Sequence, residues 1–87
     1  MPTLSMFFGI SIQMHHNEHN PPHVHAKYDK HRAKFDFEGN VTDGSLPPKK
    51  EILVKAWIVL HKEELEACWE MIGSGETIPS LSIDPLK

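Results

Sequence analysis

The sequence predicts an α+β fold: a small antiparallel sheet of three to four strands with one kinked or two short helices packed on one face. Three observations carry that prediction. Apolar and polar residues alternate with a period of two through much of the stretch from Phe8 to Phe37, the period of a strand with one buried face. From about Pro48 the period lengthens, and Leu53, Ala56, Trp57 and Leu60 recur at helical spacing. Between the alternating runs stand the turn formers "NEHNPP", "DKHR" and "EGNVTDG", so the strands are short and consecutive and an antiparallel meander is the economical arrangement. Eighty-seven residues make one domain over 1–87. A chain this short buries a modest fraction of its surface and is prone to lean on a partner.

Each element has its own signal. In strand one, Phe8, Ile10, Ile12 and Met14 share one side, with Phe7, Gly9, Ser11, Gln13 and His15 on the other. Pro21 and Pro22 lack backbone donors and push Asn20 and Pro21 out of helical geometry, so Asn20, Pro21 and Pro22 read as a structural turn. His15, His19 and His23 are spaced by four, but that proline pair forbids a helical histidine ladder. Val24, Ala26 and Tyr28 define a second strand, and Ala33, Phe35 and Phe37 a third. Val41-Thr42 is expected as a short fourth strand before Asp43-Gly44. In the helical half, Leu65, Cys68, Trp69 and Ile72 continue the stripe after a one-residue slip that implies a kink or break near His61. Gly73-Ser74-Gly75 ends it. Leu81 and Ile83 suggest a short edge strand bounded by Pro79 and Pro85.

Composition, at 39% hydrophobic and 24% charged, is that of an ordinary soluble chain. The single cysteine, Cys68, cannot form an internal disulfide and reads as a small apolar filler in a reducing cytoplasm. The N-terminus has no basic leader, and its apolar run is far shorter than the roughly 20 residues that span a bilayer, so a complete cytoplasmic protein with no membrane association is expected. Net charge is −3 with histidines neutral, yet seven histidines can offset it when they protonate or meet an anion. Distribution is more telling. "HVHAKYDKHRAK" gathers cationic and ionisable groups, and "HKEELEACWE" gathers acids.

The stretch "HHNEHNPPHVHAKY" holds five histidines in fourteen residues. With Val24, Ala26 and Tyr28 facing the helices, His23, His25 and Lys27 face the other way beside Ser11, Gln13 and His15. Wet sheet faces are commonly built from lysine, glutamate and threonine. A face of imidazoles, an amide and a lysine suits other chemistry. His23 and His25 could give a metal two ligands, with His15, His19 or Glu18 completing the shell, but the spacing is permissive and Cys68 is remote, so neither metal nor cofactor is assigned. General acid–base catalysis is the second chemistry. Metal-independent RNA cleavage needs a base, an acid and cations, and His23 with His25 supplies the first two while His15, Lys27 and Arg32 bind the nucleic acid. The third is structural: Asn20 and His23 bond backbone groups freed by the tight turn. Trp57 and Trp69 read as core. Ile52, Val54, Ile58 and Val59 add more apolar surface than one small sheet covers, which implies a contact with a partner protein or a homo-oligomer. The run "HKEELE" reads as a solvated face.

The opening "MPTLSMFFGI", the block "EHNPPHVHAKY", then "GSLPPKKEILVKAW", "LHKEELEACWE" and the terminal "IDPL" together resemble the bacterial domain-of-unknown-function family 4160 over almost the whole chain. The histidine-proline block is the specific part. Glu18 stands where the family commonly carries aspartate, and a carboxylate is kept. The resemblance implies a small cytosolic bacterial protein, encoded beside a second small protein, and hence a toxin–antitoxin component. The leading expectation is therefore the toxin-like member of a two-protein module, a metal-independent endoribonuclease acting with a small antitoxin-like partner. The alternative is a module without catalysis that binds nucleic acid or metal alongside a partner.

Overall fold

The alternating segments form one antiparallel sheet in chain order: β1 (Thr3–Phe7), β2 (Ile10–Gln13), β3 (His23–Tyr28), β4 (His31–Asp36) and β5 (Val41–Ser45). Turns of two to four residues join β1 to β2, β3 to β4 and β4 to β5, a longer connection of residues 14–22 joins β2 to β3, and each strand pairs with its sequence neighbour. Two helices follow, α1 (Pro48–Leu60) and α2 (Lys62–Gly73). The computed structural model describes residues 3–15 and 20–86. The fold is α+β as expected, with a five-stranded sheet where three or four strands were anticipated.

The extra strand comes from a turn hidden inside a regular alternation. Phe8 shares the phase of Ile10, Ile12 and Met14, but it and Gly9 both take left-handed backbone (φ 50° and 79°), the pair of conformations that closes a two-residue hairpin. Phe8 is exposed, and Leu4, Ser5 and Phe7 are the buried residues of β1. Strand β5 also runs further than expected, through Asp43 and Gly44 to Ser45. Gly44 sits opposite Ala33 with φ 71°, and a Cβ there would run into the carbonyl oxygen of Arg32. The glycine thus permits close strand pairing rather than ending the strand. Gly44→Ala is expected to cost about 1–3 kcal/mol, the scale of backbone strain at a left-handed position, read as a lower urea midpoint at unchanged slope.

The C-terminal segment forms no strand. Leu81 N–H donates to Thr3 O (2.6 Å) and Ile83 N–H to Leu4 O (3.1 Å), laying the chain along the outer edge of β1, but the left-handed Leu81 (φ 56°) breaks the ladder. That edge is covered all the same. Ile78 and Ile83 join the core, and Asp84 O accepts the indole N–H of Trp57 at 2.8 Å.

Pro48 opens α1, and the Glu51 carboxylate accepts the Leu46 N–H (3.0 Å) ahead of it. The helix buries Val54, Trp57 and Ile58, a stripe rotated from the expected one: Leu53 is half-buried and Ala56 and Leu60 are exposed. Both faces of α1 are apolar, so periodicity alone could not select the side that meets the sheet. The expected break is present at His61 (φ −116°, ψ 23°), after which α2 buries Leu65, Cys68 and Ile72. It ends as anticipated, with Gly75 left-handed (φ 81°), Glu76 N–H on Met71 O and Gly75 N–H on Ile72 O, a Schellman pattern. Among the described residues, no helix is long and apolar enough to cross a membrane.

Candidate functional site

Ile10, Ile12, Val24, Ala26, Ala33 and Phe35 are all buried on the helix side of the sheet. Strand alternation therefore sends Ser11, Gln13, His23, His25, Lys27, Arg32 and Lys34 to the opposite side. Register then decides which of these meet. One row crosses the sheet as Gln13, His25, Lys34 and Asp43, and the next as Ser11, Lys27, Arg32 and Ser45. The whole first row, together with Lys27 and Arg32 of the second, lines a pocket of about 410 Å³, with His15 joining from beyond the end of β2 and Gly44 from β5.

Inside it, the rings of His15 and His25 stack face to face, 3.7 Å between centroids and 5° between planes. Two imidazolium charges at that separation would repel by about 1 kcal/mol in bulk water and by about 4 kcal/mol at the effective dielectric of a protein surface. An anion lying across both rings reverses that cost. Lys27, Arg32 and Lys34 against the single carboxylate of Asp43 make the pocket lining cationic.

His23 does not line the pocket. Its ring meets His25 edge-on (5.1 Å, 65°) and Trp69 of α2 on another side (5.5 Å, 55°), while Trp69 in turn meets Phe37 (6.1 Å, 86°). His23 Nδ1 lies 2.9 Å from the carbonyl oxygen of Pro21. A carbonyl can only accept, so Nδ1 carries the proton and Nε2 is the basic nitrogen of the neutral ring. The Asn20-Pro21-Pro22 turn, whose Asn20–Pro21 peptide is cis, thus presents the carbonyl that orients His23.

Of the residues singled out from sequence, His15, His25, Lys27 and Arg32 come together in one pocket, and His23 stands behind His25. Lys34 and Asp43 were missed as site residues. Lys34 was legible as a member of the same face through its alternation with Phe35, whereas Asp43 needed the register of β5 on β4. Among the described residues, no group of three or more His, Cys, Asp or Glu side chains could hold a metal ion. Glu18 and His19, weighed as completing ligands, lie outside the described residues. Cys68 is buried, and burial, aided by the charge of Glu64, pushes its thiol up, which suits a filler and not a nucleophile.

A family model described as "Domain of unknown function (DUF4160)" matches residues 9–70, a span that contains the whole pocket lining. The comparisons with curated proteins and with solved structures return no match.

Proposed function

The chain belongs to the DUF4160 family, and from that premise we propose that it is the toxin-like component of a two-protein toxin–antitoxin module, binding RNA on the polar sheet face and cleaving it without a metal. The observation that supports this most is the stacked His15–His25 pair in a pocket shared with Lys27, Arg32 and Lys34. Cleavage needs a proton removed from a ribose 2′-hydroxyl as its oxygen attacks phosphorus, and a proton delivered to the 5′-oxygen as the P–O5′ bond breaks. One imidazole of the pair serves as base and the other, protonated, as acid, and the three cations hold the non-bridging oxygens. The products are a 2′,3′-cyclic phosphate and a free 5′-hydroxyl. His23 orients His25 through the edge contact, its own tautomer held by Pro21. A small acidic antitoxin-like protein would silence the site by covering the cationic pocket.

The test uses the purified full chain on single-stranded RNA in the presence of EDTA. Cleavage with cyclic-phosphate ends, and growth arrest on expression without a partner, are expected. Binding weakens with salt: three phosphate contacts give a slope of log K against log salt of about −2 for a single strand, and Lys27→Ala makes it shallower by about 0.7. No RNA binding at low salt, or a slope untouched by Lys27→Ala, would overturn the reading. Binding that obeys the salt law without cleavage selects the alternative, a nucleic-acid-binding module in which the stacked imidazoles serve as a platform for bases.

A further inference from the structure

Helix α1 is apolar on both sides. Val54, Trp57 and Ile58 are buried against the sheet, while Ile52, Val59 and Leu60 are 67%, 61% and 68% exposed. The helical repeat puts these three and the exposed Ala56 on the side turned away from the sheet. A helix apolar all round is normally a buried one, and among the described residues nothing covers this stripe.

We propose that a second copy of this chain covers it, the two α1 helices packing antiparallel about a two-fold axis at Ala56. The stripe is self-complementary under that operation, as a closed symmetric dimer requires. An axis at Ala56 sets Ile52 of each copy, four residues before it, against Leu60 of the other, four residues after it. Ala56 meets Ala56, and so small a residue at the crossing lets the backbones approach. The charges agree. Exposed Lys49 stands in the first turn of α1, and exposed Glu63 lies just past its end at the start of α2. Antiparallel pairing brings each copy's basic end to the other's acidic end, and parallel pairing would set like against like. Opposed helix dipoles favour the same orientation. The pocket lies on the far side of the sheet, so a dimer of this kind leaves both pockets open.

Three apolar side chains and an alanine per copy cover less than the roughly 800 Å² per partner of a standard interface, so the dimer dissociates at low concentration. Sedimentation of the full chain from low to high micromolar concentration should show the mass rise from 9.9 kDa toward about twice that value. Ala56→Glu, at a site exposed in the single copy, should hold the protein at the lower mass with an unchanged circular dichroism spectrum and melting temperature. Lys49→Glu should weaken dimerisation by about threefold to tenfold, and adding Glu63→Lys should restore it. A chain that stays monomeric throughout, including one whose stripe binds only a different protein, overturns the proposal. So does a dimer that Ala56→Glu leaves intact, or a double variant no tighter than Lys49→Glu alone.

Discussion

His25→Ala is expected to lower RNA cleavage by about 10²–10⁴-fold, the usual contribution of a positioned acid or base, with little change in stability. The two halves of that expectation have separate causes. His25 is half-buried on the polar face of β3 between the core residues Val24 and Ala26, which point the other way, so its removal opens no core cavity. It stacks on His15, meets His23 edge-on and faces Lys34 across the ladder. Binding should fall far less than turnover, since Lys27, Arg32 and Lys34 remain to hold phosphate. His15→Ala should resemble His25→Ala, and the double variant should be little worse than either, because residues that act as one unit are not additive. His23→Ala, which acts through His25, should give a smaller loss. The measurements are cleavage kinetics, RNA affinity and urea unfolding on the same samples. Full cleavage and full growth arrest by a folded His25→Ala protein would end the ribonuclease reading.

Trp57→Ala should have the largest effect on stability, about 3–5 kcal/mol. A domain of this size holds roughly 5–10 kcal/mol in all, so the variant should be partly unfolded at 37 °C. Trp57 is fully buried and joins three parts of the chain. Its ring packs on Phe7 of β1 (5.6 Å between centroids) and on His61 at the helix break (5.3 Å), and its N–H holds the C-terminal segment through Asp84 O (2.8 Å). Truncation therefore opens a cavity between sheet and helix and frees the segment that covers the edge of β1. Trp57→Phe separates the contributions. It keeps much of the apolar area but deletes the donor to Asp84, and should cost about 1–2 kcal/mol more than the change in area alone. Trp69→Ala, at a half-buried site, should cost less than Trp57→Ala. Equal losses for the two tryptophans would mean that the C-terminal segment contributes nothing through Trp57.

The sequence by itself determined what depends on local spacing. Alternation along β3 and β4 put His23, His25, Lys27 and Arg32 on one face, because successive side chains of a strand have two directions open to them. Pro21 and Pro22 excluded a helix through the histidines, the slip between Leu60 and Leu65 marked the break at His61, and Gly73 with Gly75 marked the end of α2. Tertiary structure decided whatever depends on which distant groups become neighbours. Phe8 fits the strand alternation, and its place in a hairpin turn follows from β1 folding back on β2. Both sides of α1 are apolar, so the choice of Val54 and Ile58 over Ala56 and Leu60 belongs to the sheet it packs on. Leu81 and Ile83 have strand-like spacing, yet they lie along β1 with two hydrogen bonds and no ladder. The pocket itself is a product of register: Gln13, His25, Lys34 and Asp43 are far apart in the chain and meet because four strands align. His15, two residues past the last paired position of β2, shares the pocket with His25, and His23 does not. Spacing of two in one strand gives a common face, but which side chains become neighbours across strands is set by backbone hydrogen bonding between segments that sequence periodicity treats as independent.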